Sequence, residues 1–280
     1  MEDIPLIDGI ERLAQRYDAM LCDAWGVIHD GMRLFPGAAD ALTRFRKARG
    51  PVVIVTNAPK PSFVIPAQLD RLGLPRDAYD AVVTSGDATR AAIAAHLPAP
   101  AHRIGPAWDD PLFEGMSIDF RPLAEADFIV CTGLNDDDRD EPEHYRDMLR
   151  AGADRGLPMI CANPDIVVRW GGRLRWCAGA IAEIYKELGG DVIYGGKPHA
   201  PIYEIARAKI AAAKSGAARF LAVGDGLNTD IRGANNQGVD ALFITGDGGV
   251  HDGAKDAASL MAQMKAAGVR AVAAAERLQW

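Results

Sequence analysis

The stretch Met20-Leu21-Cys22-Asp23-Ala24-Trp25-Gly26-Val27 decides the fold of this chain. Its apolar beginning predicts a buried strand, and Asp23 stands where that strand ends and the chain turns. In open α/β sheets, the carboxyl ends of the strands carry the groups that bind ligands and do chemistry. The stretch therefore predicts an α/β fold with Asp23 as a candidate functional residue, although a solvated turn aspartate is an equally good explanation of Asp23 alone.

Short apolar runs alternate with longer segments of helical periodicity along the rest of the chain. This alternation predicts a parallel sheet covered by helices, and the continuous hydrophobicity of the runs indicates burial on both faces. The predicted strands are residues 20–23, 52–56, 81–84, 128–132, 158–162, 220–224 and 241–245. The predicted helices are 37–49, 144–155, 178–188, 201–214, 230–237 and the alanine-rich stretch 256–278.

The punctuation of the chain predicts an inserted domain. A second α/β pattern begins after Thr84-Ser85-Gly86, and Gly195-Gly196-Lys197-Pro198 opens a new segment. We therefore expect a core made of residues 1–84 and 192–280, split by an α/β cap over residues 85–191. A chain of 280 residues is long enough for one large core and a second smaller one.

Composition excludes several classes of function. The formal net charge of −7 and a pI near 5.4 argue against a nucleic-acid partner. No apolar run approaches the roughly 20 residues of a membrane span, and the amino terminus lacks a signal-peptide pattern, so we expect a cytoplasmic protein without a membrane partner. The four cysteines form no C-x-x-C pair, which indicates reduced, buried thiols.

Polar groups that suit phosphate binding follow the predicted strands. The backbone amides of Ala24 and Trp25 could hold phosphoryl oxygens while Asp23 attacks phosphorus. Thr56-Asn57 directly follows the run 52–55 and offers a hydroxyl and an amide as donors, although this pair is also a common helix amino cap. Lys197 could neutralise both a nucleophilic carboxylate and a phosphate, although alone it could be a solvated loop lysine.

The segment Gly224-Asp225-Gly226-Leu227-Asn228-Thr229-Asp230 predicts a metal site. It follows the strand 220–224, and its two carboxylates lie five residues apart across a strand-to-helix turn. Carboxylates in such a turn are suited to a hard divalent cation. A capping turn without metal is the less favoured alternative.

In this order and spacing, these motifs resemble a haloacid dehalogenase superfamily phosphatase. The similarity is to the class IIA branch, which includes nitrophenyl phosphatases, nucleotide phosphatases and pyridoxal phosphate phosphatase, and it extends over nearly all of the chain. It rests on Asp23…Trp25-Gly26-Val27, Thr56-Asn57, Ala162-Asn163-Pro164-Asp165, Gly195-Gly196-Lys197-Pro198 and Gly224-Asp225…Thr229-Asp230-Ile231.

The resemblance implies a core of five parallel strands in the order 5-4-1-2-3, with an α/β cap inserted after the third strand. It makes Asp23 the nucleophile that forms an aspartyl phosphate. Mg²⁺ would be held by the Asp23 carboxylate, the Trp25 backbone carbonyl and Asp225, with Asp230 as a ligand or a support. Catalysis would rest on Asp23 and Lys197, and phosphate binding on Thr56, Asn57, Lys197 and the turn at Ala24 and Trp25.

Trp25 departs from the family pattern, which has an aspartate there that protonates the leaving group and then activates water. An indole is a donor only and does neither. General acid–base catalysis is typically worth about 10²–10⁴-fold, so we expect slow or restricted turnover in which good leaving groups suffer least. His29 or Asp30 could supply a substitute acid, and ordinary loop residues are an equal explanation.

Other functions remain open at the level of sequence. A catalytically inactive phosphate-binding or sensor protein would share every feature except turnover, whereas a nicotinamide site lacks its G-x-G-x-x-G motif. The arginines and tryptophans of residues 169–176 could bind an anionic or aromatic substrate, or form a hairpin with a solvated face. We expect a small phosphorylated substrate of unspecified identity and allow for a homodimer.

Overall fold

The computed structural model describes residues 4–170, 173–246 and 256–280. Within these ranges the strands are β1 (Ala19–Cys22), β2 (Val52–Thr56), β3 (Ala81–Thr84), β4 (Ala101–Ile104), β5 (Phe128–Cys131), β6 (Met159–Cys161), β7 (Val167–Trp170), β8 (Arg173–Trp176), β9 (Val192–Tyr194), β10 (Phe220–Gly224), β11 (Asp240–Ile244) and β12 (Ala273–Ala275). The α-helices are α1 (Glu11–Ala14), α2 (Ala38–Ala48), α3 (Ile65–Leu72), α4 (Ser85–His96), α5 (Arg146–Asp154), α6 (Ala178–Glu187), α7 (Ala200–Ala213), α8 (Arg232–Asn236) and α9 (Ala257–Ala267).

The main sheet is parallel and has the order β12-β11-β10-β1-β2-β3. β1 and β2 are buried along their whole length, as their continuous apolar sequences predict. One hydrophobic cluster, which includes Phe45 of α2, covers one face of the sheet, and another, which includes Ile202 of α7, covers the other. The predicted order 5-4-1-2-3 is confirmed as β11-β10-β1-β2-β3, and β12 adds a sixth strand to the five predicted. This order places the end of β1 at the centre of the sheet.

The carboxyl-terminal stretch differs from the prediction of one helix over 256–278. The helix α9 ends at Ala267, where Gly268 adopts a left-handed conformation with φ of +64°. The chain then forms β12, which pairs in parallel with β11 and is bridged on its outer side by Leu6. Pairing with β11 satisfies the backbone hydrogen bonds of this short strand, and its small side chains are buried there. These tertiary contacts override the helical preference of alanine.

A second parallel sheet, β4-β5-β6-β9, is formed by the chain between β3 and Gly195. The helices α5 and α6 pack on one face of it, and Ile93 of α4 packs on the other. Its last strand, Val192–Tyr194, follows the predicted cap boundary at residue 191. We therefore propose that the inserted cap runs to Tyr194 and rejoins the core at Gly195.

A short antiparallel hairpin of β7 and β8 projects from the second sheet. It contains the arginines and tryptophans of residues 169–176 and joins the end of β6 to the start of α6. Opposite it in the inserted segment is a 3₁₀ helix, Ala107–Phe113. The four cysteines are buried and form no disulfide, as predicted. In the ranges that the structure describes, none of the helices has the length and apolarity that a bilayer crossing requires.

Candidate active site

Asp23 lies immediately after β1 at the carboxyl edge of the main sheet. It is 8% exposed, and its Oδ1 accepts a hydrogen bond of 2.7 Å from the backbone N–H of Ala24. The turn that follows closes on itself, because the amides of Ile28 and His29 both donate to the Ala24 carbonyl oxygen. The amide of Ala24 therefore contacts Asp23 in this structure, and its phosphate-binding role stays a prediction.

Gly26 lets this turn approach the second carboxylate loop. Its φ is +74°, and a Cβ at this position would lie 2.2 Å from Oδ2 of Asp225. A residue with a side chain would meet both a strained backbone and a collision there. Glycine at position 26 thus allows the loop after β1 to pack directly on the loop after β10.

Lys197 connects the nucleophile candidate with Asp230. Its Nζ lies 2.7 Å from Oδ1 of Asp23 and 2.7 Å from Oδ1 of Asp230, and it also donates to the Val55 carbonyl at 2.9 Å. Lys197 is 3% exposed. Burial alone would lower the pKa of this ammonium, but Asp23 and Asp230 raise it well above its usual value, so Lys197 is a fixed positive charge.

Three buried carboxylates form a cluster that fits a divalent cation. Asp23, Asp225 and Asp230 each offer an oxygen, and these oxygens lie within 4.8 Å of one another. Burial and the neighbouring carboxylates raise the pKa of Asp225 well above its usual value and that of Asp23 to about 8. A set of three oxygen donors facing one lysine fits Mg²⁺, because a hard cation prefers carboxylate oxygens and would relieve their mutual repulsion.

Asp230 is held in this cluster by its own loop. The amide of Gly226 donates to its Oδ2 at 3.0 Å, within a π-helical turn over Leu227–Ile231 that precedes α8. A Cβ at Gly224 would lie 2.2 Å from the Asp230 side chain. The glycines of this segment are therefore required for the close approach of Asp230 to the end of β10.

Thr56 and Asn57 lie beside the cluster at the end of β2, and both are buried. Oδ1 of Asn57 accepts from the Lys197 amide at 2.8 Å, and its Nδ2 donates to the Lys197 carbonyl at 3.2 Å and to Oδ1 of Asp165 at 2.9 Å. The Thr56 hydroxyl accepts from the Ala58 amide at 3.3 Å. The structure thus brings together the residues that sequence analysis selected from four distant segments.

Trp25 packs against two aromatic rings. Its ring centroid lies 4.9 Å from that of His29 and 6.3 Å from that of Trp170, both in edge-on arrangements. Trp25 also lines a small cavity with Asp23, Asp225 and Asp230, so this residue borders the carboxylate cluster. The role of its carbonyl as a metal ligand remains a prediction.

His29 and Asp30 are poorly arranged to replace the missing acid. Burial lowers the pKa of His29 to about 4, and its Nδ1 accepts from the Gly31 amide at 3.0 Å. For Asp30, burial raises the pKa, but hydrogen bonds from the Met32 and Arg33 amides outweigh this and lower it. Neither residue is among those lining the substrate-sized cavity above Asp23.

That cavity has a volume of about 530 Å³ and lies between the core and the inserted segment. Asp23, Thr56 and Asn57 form its floor. A larger cavity of about 610 Å³ lies near the loop after β1; Asp30 lines it, but Asp23, Lys197 and the other predicted phosphate and metal ligands do not. Because Asp23, the nucleophile candidate, lines the cavity of about 530 Å³, a substrate would react in that cavity.

Asp165 is a site residue whose sequence signal was limited to the family motif Ala162-Asn163-Pro164-Asp165. It is partly buried, lines the cavity and accepts the hydrogen bond from Asn57. Burial raises its pKa to about 6, against the opposing effect of Lys197. The motif Asn163-Pro164-Asp165 was the only signal for it, because a carboxylate of the inserted segment gains its place only when that segment folds over the core.

Comparisons with known proteins match both halves of the core. A family profile described as haloacid dehalogenase-like hydrolase matches residues 20–109, and one described as HAD-hydrolase-like matches residues 194–271. A D-glycerol 3-phosphate phosphatase from Mycobacterium tuberculosis is 28% identical over 244 residues, and the match covers 84% of this chain and 65% of that protein. The chain therefore spans about two thirds of the length of this relative.

Solved structures extend the similarity to the whole chain. The glycerol phosphate phosphatase from Mycobacterium tuberculosis in complex with magnesium has a TM-score of 0.65 and 25% identity, covering 88% of this chain and 72% of that one. A haloacid dehalogenase-like hydrolase from Brucella suis 1330 has a TM-score of 0.87 and 42% identity, covering 97% of this chain and 99% of that one. With its fold, its clustered site residues and this similarity, the chain belongs to the haloacid dehalogenase-like hydrolase family.

Proposed function

We propose that this protein hydrolyses a small phosphorylated metabolite through an aspartyl phosphate at Asp23, with Mg²⁺ as its cofactor. The observation that carries this proposal is the position of Lys197, whose ammonium contacts both Asp23 and Asp230 beneath the cavity. The D-glycerol 3-phosphate phosphatase that resembles the chain supports phosphate ester hydrolysis as the reaction class. The magnesium complex of a related structure supports the choice of cation.

The reaction proceeds in two displacements at phosphorus. An oxygen of Asp23 attacks phosphorus, and the bond from phosphorus to the leaving oxygen breaks with its electron pair passing to that oxygen. Water then attacks phosphorus, and the Asp23 carboxylate leaves. The sum is one phosphate ester and one water converted into one alcohol and one inorganic phosphate, with Lys197, Thr56 and Asn57 binding the phosphoryl oxygens.

Asp23, Asp225, Asp230 and the Trp25 carbonyl are the groups that would hold Mg²⁺. When bound, this cation supplies positive charge that offsets the negative charge of the phosphoryl group. Without the cation, Lys197 contacts Asp23 and Asp230, and burial together with mutual repulsion of the carboxylates raises the pKa of Asp23 and Asp225.

Trp25 affects the two displacements differently. In the first, a leaving oxygen of high basicity needs a proton, which an indole beside Asp23 does not supply in place of a carboxyl group. In the second, water needs a base, whatever the leaving group was. An ester with a good leaving group therefore completes the first displacement quickly. The second displacement remains slow, so the aspartyl phosphate accumulates.

Burst kinetics with nitrophenyl phosphate and Mg²⁺ test this account. The wild type should release about one nitrophenolate per active site rapidly and then turn over slowly. Trp25→Asp should remove the burst and raise steady-state turnover about 10²–10⁴-fold, because it restores the carboxyl group. Trp25→Phe is the matched control and should stay slow, and Asp23→Asn is the blank. An unchanged or lower rate in Trp25→Asp would refute the missing-acid explanation.

A catalytically inactive phosphate-binding or sensor protein is the second candidate function. Trp25 favours it, because the substitution removes the acid and base while leaving Asp23, Lys197 and Asn57 in place. Trapping a phosphoenzyme or a fluoroberyllate adduct at Asp23 would support hydrolysis. Phosphate binding without burst, adduct or phosphate release would support the sensor.

A further inference from the structure

Four tryptophans converge on the cavity that contains Asp23. The chain has five tryptophans, and Trp25, Trp108, Trp170 and Trp176 all line this cavity. They come from separate elements: the loop after β1, the 3₁₀ helix Ala107–Phe113, and both strands of the hairpin. The fifth, Trp280, packs against the hydrophobic cluster of the core.

Three of these indoles are exposed to the cavity and the solvent, while Trp25 is partly buried against the core. Trp108 is 53% exposed, Trp170 is 42% exposed and Trp176 is 40% exposed. Large apolar side chains are normally buried, and a group of exposed ones around a concave site indicates a ligand surface. We call Trp25, Trp108, Trp170 and Trp176 the tryptophan wall.

Several contacts fix the orientation of the tryptophan wall. Gly31 has a φ of +86°, and a Cβ there would lie 2.4 Å from Cη2 of Trp25 and 3.3 Å from Cδ1 of Trp170. Glycine at this position therefore allows the two indoles to meet edge-on. Trp176 donates from Nε1 to Oε2 of Glu141 at 2.7 Å. Indoles held in this way lose little conformational freedom when a ligand binds between them.

The charged side chains beside the wall pair with one another, and Asp137 and Asp138 share one arginine. Oδ1 of Asp109 lies 4.0 Å from Nζ of Lys60. Asp137 and Asp138 lie 3.7 Å and 3.0 Å from the Arg175 guanidinium, which is itself placed over the Trp170 ring at 4.9 Å. The surface that remains for the organic part of a substrate is therefore planar and aromatic in character, and it favours another aromatic ring.

We propose that the substrate is an aryl phosphate monoester, with its phosphate at Asp23 and its ring within the tryptophan wall. This inference rests on the proposed function for the phosphate end. Two observations lead to the same class, because the wall favours an aromatic ring and Trp25 withholds the proton that an alkoxide leaving group needs. A phenolate oxygen leaves with the electron pair of the broken bond to phosphorus and takes its proton from solvent afterwards.

Calorimetry on the Asp23→Asn variant in Mg²⁺ measures the preference without turnover. Phenyl phosphate should bind at least tenfold more tightly than glycerol 3-phosphate. Adding Trp108→Ala should weaken phenyl phosphate binding about tenfold while changing glycerol 3-phosphate binding less than twofold, since one aromatic contact contributes roughly this much. Phe63→Ala is the matched control, because Phe63 is 60% exposed and is not among the residues that line the cavity. Equal affinities, or an equal effect of Trp108→Ala on both ligands, would overturn the proposal.

Turnover by the wild type separates an aryl ester from any aromatic phosphate. Phenyl phosphate should have a kcat/KM at least tenfold higher than benzyl phosphate, whose ring is one carbon removed from the leaving oxygen. Equal values would overturn the aryl assignment. If no ester is hydrolysed while Asp23→Asn still prefers phenyl phosphate, the hydrolytic function is wrong and the ligand class stands. If glycerol 3-phosphate is hydrolysed as fast as phenyl phosphate, hydrolysis stands and the aryl proposal is wrong.

Discussion

The two halves of the cavity are built in opposite ways. The floor, on the core side, consists of buried charges that contact one another: Lys197 lies 2.7 Å from both Asp23 and Asp230. The roof, on the inserted segment, presents half-exposed rings such as Trp108 and Trp176. The floor is therefore fixed by its own electrostatics, whereas the roof presents a surface whose partner is the ligand.

This contrast indicates a division of labour. Removing one member of a buried ionic network leaves its partners uncompensated, so such a change affects stability and chemistry together. An exposed ring contributes little to folding, so changing it affects ligand choice alone. Substitutions in the floor should therefore change the rate with every substrate, and substitutions in the roof should change the ranking of substrates.

The largest effect is expected for Lys197→Met. It removes the ammonium that contacts both Asp23 and Asp230, so we expect about a 10²–10³-fold loss of phosphatase activity and, in the absence of Mg²⁺, a loss of about 3–5 kcal/mol in the free energy of unfolding. Urea denaturation and phosphate release measure the two. Added Mg²⁺ should restore part of the stability, because it supplies positive charge to the same oxygens.

Lys186→Met is the matched control for this experiment. Lys186 pairs with Glu183 at 3.0 Å, but both side chains are about half exposed. An exposed pair contributes at most about 1 kcal/mol, so this variant should keep nearly all of its stability and activity. Similar losses in the two lysine variants would show that burial does not distinguish the floor from the surface.

The floor was largely predictable from the sequence, and the reason is topological. Asp23, Thr56 and Asp225 each directly follow an apolar run, and parallel strands bring their carboxyl ends to one edge of the sheet. The prediction therefore needed only the strand pattern and the type of residue that follows each strand. Lys197 was selected through its glycine-bearing turn, and the structure places it within the same cluster.

The roof was not predictable in the same way. The hydrogen bond between Asn57 and Asp165 joins residues 108 positions apart, and the tryptophan wall requires the hairpin and a 3₁₀ helix to face the loop after β1. No sequence periodicity encodes the placement of irregular elements across a domain boundary. The prediction for β12 was wrong for a related reason. Ala273–Ala275 has a helical composition and becomes a strand only by pairing with β11.

Asp165 lies where floor and roof meet, and two substitutions separate its possible contributions. Asp165→Asn keeps an acceptor for Nδ2 of Asn57, whereas Asp165→Ala removes it. We expect Asp165→Ala to raise KM about tenfold, because Asn57 is then less well held, and Asp165→Asn to stay within about threefold of the wild type. Steady-state kinetics with nitrophenyl phosphate measure both. An equal loss of kcat in the two variants would instead indicate that the carboxyl group itself transfers a proton.

The smallest expected effect concerns Asp109, a roof carboxylate whose pKa is raised to about 6 by burial, with Lys60 opposing the shift. Because this value lies above that of the unfolded chain, near 3.8, the folded protein binds the proton more tightly. The stabilising contribution is full below about pH 4 and is lost as the pH rises through about 6. Urea unfolding from pH 4 to pH 7 should show a smaller decline for Asp109→Asn than for the wild type. Asp110→Asn, which changes a neighbouring side chain that is 61% exposed, should follow the wild type. Parallel curves of unfolding free energy against pH for all three proteins would show that ionisation of Asp109 does not lower the stability of the folded protein.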